Sequence, residues 1–565
     1  PPLTIEAGGY AVVHATKRTE KQKGNFVALG ISEAGETLIL SDADGNVIDV
    51  FETGALRAGT TSGRVVGSGA PVRVFFASAT KGKSNDAAVR SAYAAEPVFS
   101  ETALYHDAAF PLVLTSATEG AEIRYTLDGS APGPDSTLYM GPINISSNAV
   151  VRAAAYCDGL LQSDSVAMTY LFEQPHTVPV VCISISPSAF SEVYAATIKK
   201  ERVERQGVFS FYEDGALGVS FPCGFRASGA STLTAAQKSL AVLLRSGYGV
   251  AETNYPFFAN SDVSAYQSLV LRNSGQDRTA ARIRDSFFMK AVKGLNIEQV
   301  ETRLTVVYVN GTYWGIYDLN ENQNEDYLAS HYGVDPDAVD IIRRNFTALE
   351  GTKYDFLRVR EYALNRDLSD DTLFAEFAEW VDVAYFTDYI IAQTYFANSD
   401  MFNQKYWRSQ DYSVKWRPVF FDLDFGLHSS SPTRNILSTY FRVEGVPSQD
   451  GSLTNMDIYV GLRKNAAWRD YFCERYVYVV LNHFNSERLC AILDEMAAQL
   501  RAEWPRHTAR WSDAPSLSKW ESNVAALRDC LAIRAEYALK YLQKEFGVSD
   551  EKMQEYRAKA LAASD

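Results

Sequence analysis

Two stretches of this chain hold side chains whose types and spacing suit one kind of reaction. In "KWRPVFFDLDFG", residues 415–426, Asp422 and Asp424 stand one residue apart between an apolar run and a glycine. Two carboxylates that close repel unless a cation sits between them, so the pair asks for more than a residue that caps the following turn. In "TYFANSDMFNQKYWR", Asp400 and Asn403 follow an apolar run. Phosphoryl transfer needs one carboxylate to orient the attacking hydroxyl, plus an Asn and an Asp to hold magnesium against the phosphates, on two neighbouring elements. Asp400, Asn403, Asp422 and Asp424 supply that set.

Positioning them requires a strand and a helix. The segment "YSVKWRPVFF" reads as a strand that delivers both aspartates, and the aromatics of "FAEFAEWVDVAYFTDYIIAQTYF" recur at helical spacing, as in a buried helix rather than a stacking surface. Further upstream, "VPVVCISIS", "SLAVLLR", "SLVLRNS" and "RLTVVYVNGTYWGIYDL" read as strands, the last folding back at Asn310-Gly311. Between them, "TAARIRDSFFMKAVKGL" has helical spacing that ends near Gly294, and from about residue 370 helices dominate. Residues 1–172 differ from all of this. Their short alternating runs, broken by Gly, Pro and Asp-Gly, predict small antiparallel β modules.

Composition bounds the rest. A chain of 565 residues with 46% apolar and 22% charged residues is long enough for roughly three or four domains. The net charge of −15 argues against a nucleic-acid partner, because phosphate neutralisation needs clustered Lys and Arg. No apolar run is long enough to span a membrane, and the opening "PPLTIEAGGYAVV" reads as strand pattern downstream of a removed export signal. Six cysteines without CxxC spacing predict no zinc site and at most one or two disulfides. His428 lies just past the aspartates with no partner histidine at metal-ligand spacing. No GxSxG turn supports hydrolase chemistry.

Three resemblances follow from longer stretches. "GGYAVV", "GETLILSDADGNVIDVF" and "GTTSGRV" place residues 1–75 close to the lamin-tail domain, an immunoglobulin-like β-sandwich, shortened at its start. "GAEIRYTLDGSAPGPDSTLYMGPINISSNAVVRAAAY" makes residues 97–172 similar to the carboxy-terminal β-sandwich of chitobiases and β-hexosaminidases, a spacer or adhesion module in exported bacterial proteins. "FRASGASTLTAAQKSLAVLLRSGYG", "LVLRNSGQDRTAARIRDSFF", "VYVNGTYWGIYDLNENQNEDYL", "NSDMFNQKYW" and "KWRPVFFDLDFG" occur in the order of the CotH kinase family, named for spore coat protein H. That family resembles a divergent protein kinase, and the likeness covers residues 178–520. A helical extension over 521–565 completes the expected layout of two small β-sandwiches followed by an α+β domain with a mostly helical second lobe.

The last resemblance implies roles position by position. Asp400 takes the place of the catalytic aspartate, Asn403 of a second metal ligand, and Asp422 with Asp424 of the metal-binding pair. Lys238 falls where the family has a phosphate-neutralising lysine, and Arg226, Ser228, Gly229 and Ser231 fall in a phosphate-covering turn. Arg272, Arg282, Arg284 and Asp285 either fix a helix by ion pairs or touch phosphate, and Glu321 is a candidate to orient a site group. Asn403 follows Asp400 by three residues where the kinase pattern has five, which displaces the ligand by ~3.3 Å per extended residue unless the loop rearranges. The implied activity is an exported, Mg²⁺- or Mn²⁺-dependent transfer of the ATP γ-phosphoryl group to Ser or Thr of a surface or spore-coat protein, with cell-wall or glycan contact through the β modules. The alternative is a cell-surface adhesion or scaffold protein with a weak or inactive kinase-like domain.

Overall fold

The computed structural model describes residues 5–563 except 16–24, 28, 33, 58, 66–72, 86–87, 260, 429–430, 448–452 and 455. Strands fill the first part of the chain and helices the last, as the change of periodicity predicts.

In the first module, Thr37–Ser41 pairs with Val47–Glu52 around a turn where Gly45 takes φ 87°. Thr61–Arg64, Arg73–Phe76 and Val89–Arg90 form a three-stranded ladder, and His14–Ala15 pairs with Phe26–Val27. Among the described residues these are separate ladders, not one sandwich. Among the described residues no second sheet covers the hairpin, and Ile39, Leu40, Val47 and Ile48 are all exposed. Parts of the expected domain, residues 1–4, 16–24 and 66–72 among them, lie outside the described residues.

The second module has two layers. A sheet of Thr137–Leu138, Glu122–Thr126, Ala149–Tyr156 and Val166–Tyr170 faces two short ladders, and Phe99, Leu112, Leu114, Ile123, Ile145, Val151, Ala153 and Met168 fill the space between. Its exit is tied down firmly. His176 Nδ1 lies 2.6 Å from Glu503 Oε2, and the Thr177 N–H donates to Glu503 Oε1 at 2.8 Å.

Seven strands then close into a barrel: β1 (Val180–Ser184), β2 (Glu204–Glu213), β3 (Ala216–Ser228), β4 (Ser239–Leu243), β5 (Ser268–Arg272), β6 (Thr302–Val309) and β7 (Thr312–Glu321). The order is β1-β2-β3-β4-β5-β7-β6, and the parallel pairing of β6 with β1 closes it. Closure leaves no exposed edge. The β6–β7 hairpin turns at Asn310 (φ 50°) and Gly311 (φ 76°), the positive dihedrals that a tight primed turn requires. Phe209, Phe211, Phe225, Leu240, Val242, Leu271 and Tyr317 are buried in one cluster of the barrel. α1 (Pro187–Ala195) packs against β2 and β3, and α2 (Arg284–Ala291) follows the loop after β5.

The second lobe holds a small sheet and, among the described residues, nine α-helices from Glu325–Tyr332 to Asp550–Ala562. Its strands β8 (Val339–Arg343), β9 (Thr347–Glu350), β10 (Lys405–Ser409) and β11 (Arg417–Pro418) run in the order β9-β8-β10-β11. The strand expected over "YSVKWRPVFF" is therefore only two residues long, extended by a bridge from Val419 to Glu298. Pro418 carries no N–H for a ladder. The central helix, α3 (Val383–Tyr395), is buried from Phe386 to Tyr395, and Asp382 caps its start by accepting from the Tyr385 N–H.

The segment expected as an extension belongs to this core. A single helix, α4 (Leu517–Phe546), runs through residues 520 and 521, and its Trp520, Leu527, Leu531 and Leu542 are buried in the large cluster. Its buried Arg534 donates to the carbonyls of Thr394 and Tyr395, satisfying the end of α3, and to those of Pro432 and Arg434. None of the six cysteines is bonded to another. Among the described residues, no helix is long and apolar enough to cross a membrane.

Candidate functional site

The aspartates sit where the barrel meets the helical lobe. α3 stops at Tyr395, and the following turn carries Asp400 and Asn403, with the Asn403 N–H donating to the Asp400 carbonyl at 2.9 Å. After β11 the chain reaches Asp422, whose backbone is left-handed (φ 61°), and then turns so that the Gly426 N–H donates to Leu423 O at 2.8 Å. The Leu427 N–H donates to Phe396 O at 2.6 Å, which staples the aspartate turn to the end of α3.

A continuous polar chain crosses the site. Arg343 Nη2 donates to Asn403 Oδ1 at 3.0 Å, and Asn403 Nδ2 donates to Asp422 Oδ2 at 2.6 Å. Asp422 Oδ1 accepts from Arg272 Nη2 at 2.8 Å, and Arg272 Nε is 2.8 Å from Asp285 Oδ2. Asp285 Oδ1 in turn accepts the Leu423 N–H at 2.7 Å. One carboxylate on α2 thus binds a barrel cation and the backbone between the two aspartates. The three-residue spacing of Asp400 and Asn403 still delivers the amide to Asp422, because the intervening chain folds as a tight turn.

Asp424 is held from the barrel side. Its Oδ2 accepts the Gln276 N–H, and Gln276 Nε2 donates to Ser231 Oγ at 3.0 Å. Gly275, at φ 56°, allows this approach, since a Cβ there would collide with the Asp424 carboxylate. Asp277 shapes the same loop, accepting the N–H groups of Ile283 at 2.9 Å and Arg284 at 3.0 Å at the start of α2.

Electrostatics follow from this crowding. Burial and then the Asp422 charge push Asp400 up to about 6, against the opposing pull of Arg344 and Arg343. Burial and Asp422 push Asp424 up to about 7, with Arg272 opposing. For Arg272, burial disfavours the charge, but Asp285, Asp422 and Asp424 outweigh it and hold the guanidinium protonated. Burial pulls Lys405 down to about 8, helped by Arg343, and its Nζ donates to Gln323 O at 3.2 Å.

The donor set is oxygen-only and suits a hard divalent cation with phosphate oxygens. Asp400 and Asp424 bear the repulsion of Asp422 that such a cation would relieve, so these residues fit one. Among the described residues, no three His, Cys, Asp or Glu side chains form a ready-made metal cluster. The Asn403 oxygen points to Arg343, so the amide must turn before it ligates.

Other expected residues lie elsewhere. Lys238 is 7% exposed, donates to Leu233 O and lies 5.8 Å from the Tyr194 ring, away from the aspartates. Glu321 accepts from His331 Nε2 at 2.8 Å and from the Glu301 N–H at 2.8 Å, so both its oxygens are used outside the site. Arg282 clamps backbone, donating to Asn273 O at 3.0 Å and to Ile316 O. Of the expected phosphate-covering turn, Ser231 reaches the aspartates through Gln276. Ser228 ends β3 opposite Ser239, Gly229 is left-handed at φ 103°, and Arg226 has a buried Nε without a hydrogen-bond partner. Gln276, Arg343 and Lys405 are site residues that the sequence does not flag, because strand pairing and loop return, not spacing, bring them in.

Comparison with known families gives two matches. The family model described as CotH kinase protein matches residues 225–538, more than half of the chain, and the one described as Fn3 associated matches residues 112–170. The second match falls inside the module expected over 97–172. No curated protein matches the chain.

Proposed function

The chain belongs to the CotH kinase protein family, and from that premise we propose that it transfers the γ-phosphoryl group of ATP to a Ser or Thr hydroxyl of a protein outside the cell, at a cell surface or spore coat. The observation that carries this reading is the linked set Asn403–Asp422–Arg272–Asp285, with Asp400 on one side and Asp424 on the other. A strand cation paired to a helix carboxylate and placed against a metal-binding aspartate is the arrangement that phosphoryl transfer uses to fix nucleotide phosphates. Here Arg272 and Asp285 fill that place instead of Lys238.

In this reading Asp422 and Asp424 would hold Mg²⁺ or Mn²⁺ with the phosphates, where a bound cation would supply charge neutralisation. Asp400 accepts the proton of the attacking hydroxyl, for which a carboxylate near pH 6 is better matched than an ordinary one. Arg272 orients Asp422, and Gln276 orients Asp424. The β modules serve as spacers or contacts to wall or glycan. The test is incubation of the full chain with γ-labelled ATP, Mn²⁺ or Mg²⁺ and Ser- and Thr-containing acceptor proteins. Label on Ser or Thr that disappears with Asp400→Asn supports the transfer; bound nucleotide without any transfer supports the scaffold alternative.

A further inference from the structure

A cavity of about 540 Å³ lies where α2, the start of β6 and the helix Ser486–Arg510 meet the linker that leaves the second module. Asp400, Asn403, Asp422, Asp424, Arg272 and Asp285 do not line it. The volume is that of a small-molecule site. Most of its charges are already matched: Lys293 pairs with Glu301, and Arg303 with Glu213. Asp214 and Glu495 have no ion pair among the described residues but are exposed to water. Lys290 differs, because it is half-buried on α2 and its ammonium has no hydrogen bond or ion pair among the described residues. A recess of about 10 Å³ shares Lys290, Thr302, Leu304 and Gln499 with the cavity and ends on Asp318 of β7. It has room for one water-sized group. Asp318 is 4% exposed, and among the described residues only its Oδ2 is hydrogen-bonded, accepting from Ser274 Oγ at 2.9 Å. The nearby cations are spent elsewhere, Arg282 on the carbonyls of Asn273 and Ile316 and Arg272 on Asp285 and Asp422. A buried carboxylate oxygen without a donor is costly. What the recess lacks is a donor the size of an ammonium group.

We infer that this cavity binds a small zwitterion of the amino-acid class, with its ammonium in the recess against Asp318, its carboxylate on Lys290 and an apolar side chain against Met289, Val300 and Ile492. A simple amine would leave Lys290 unmatched, and a simple acid would face Asp318. Free amino acids and short peptides share the required chemistry, a charge-assisted hydrogen bond at each end. The site is joined to the Arg272 set by two elements. Asp318 stands directly across the β5–β7 ladder from Arg272, and α2 carries both Lys290 and Asp285, the partner of Arg272. A ligand that bridges Lys290 and Asp318 ties α2 to β7 and so tightens nucleotide binding. That link rests on the kinase reading; the site itself does not.

The experiment uses the full chain. Melting temperature and titration calorimetry are followed with L-leucine, L-methionine and the dipeptide leucyl-leucine. Isoamylamine and isocaproate, which keep leucine's side chain with only the amine or only the acid, serve as controls. A saturable rise in melting temperature is expected with a zwitterion, by mass action on the folded state, and none with either control at the same concentration. Preference for an amino acid or for the dipeptide tells which source the site takes, and either supports it. Lys290→Ala removes a side chain without a protein partner, so it should fold as the parent chain does and lose the rise. Asp318→Asn should lose it as well, and Lys290→Ala decides the matter if Asp318→Asn does not fold. With the zwitterion bound, affinity for a non-hydrolysable ATP analogue with Mg²⁺ should increase about fivefold or more. No binding of any zwitterion, a control bound as well as leucine, or a rise kept in Lys290→Ala overturns the site. Zwitterion binding that leaves nucleotide affinity unchanged keeps the site and overturns its link to Arg272. Zwitterion binding by a chain that binds no nucleotide keeps the site and removes the kinase reading.

Discussion

Arg272 and Lys238 leave neighbouring strands of one barrel, yet Arg272 ends among Asp285, Asp422 and Asp424 while Lys238 ends on the Leu233 carbonyl and the face of Tyr194. Their positions in the chain suggest the opposite assignment, since a lysine entering a strand is the expected phosphate partner. Arg272 is placed by the loop that follows it. The left-handed Ser274 (φ 64°) and Gly275 turn the chain back, Asp277 fixes the start of α2, and α2 returns Asp285 to the guanidinium. Lys238 has no such return. A cation's role is thus decided by which carboxylate the fold brings back to it.

Removing each partner breaks this comparison in a measurable way. Asp400→Asn should lower transfer by about 10²–10⁴-fold without loss of nucleotide binding, because it removes only the proton acceptor; single-turnover rates against nucleotide affinity separate the two. Arg272→Ala leaves Asp285 and Asp422 facing one another in a largely buried site, and should cost about 3–5 kcal/mol in urea unfolding together with the stabilisation by metal and ATP. Lys238→Ala should cost about 1–3 kcal/mol, the penalty for a buried carbonyl left without its donor, and leave nucleotide stabilisation intact. Equal loss of nucleotide stabilisation in both variants would erase the distinction. Gly275→Ala, smallest of the set, should cost about 1 kcal/mol or somewhat more through its positive φ and the contact with Asp424, read from the same unfolding curves.

The carboxylates sharpen the comparison through pH. Asp400 at about 6 and Asp424 at about 7 both lie above their ordinary 3.8, so each ionises less readily in the fold than in the unfolded chain. The metal-free protein should therefore lose stability as pH rises from about 4 through 7, the stability being fully present below 3.8. Bound Mg²⁺ with ATP favours the ionised carboxylates and should flatten that loss. Melting temperatures across this range, with and without metal and nucleotide, read the difference directly.

Asp422 and Asp424 were legible in the sequence because their chemistry is local: one turn, two carboxylates, and an Asn-bearing turn nearby. The β6–β7 hairpin was legible for the same reason, through Asn310-Gly311. What a strand faces, and where it pairs, was not. Glu321 ends β7 next to Leu269 of β5, and that register turns it to His331. Arg343 and Lys405 are separated by more than sixty residues of chain and meet only through the β8–β10 ladder. Arg534 lies in a segment that reads as an amphipathic tail, yet it closes the end of α3 and so helps hold the Asp400 turn.

The central claim is that metal and nucleotide sit on the Asp422–Asp424 turn, and thermal melting of the full chain with ATP and Mg²⁺ or Mn²⁺ tests it most directly. A ligand that binds only the folded state raises the melting temperature by mass action. The account predicts a metal-dependent rise that Asp422→Ala and Asp424→Ala abolish and Lys238→Ala keeps. No rise at millimolar nucleotide, or a rise unchanged in folded Asp422→Ala and Asp424→Ala variants, would contradict it.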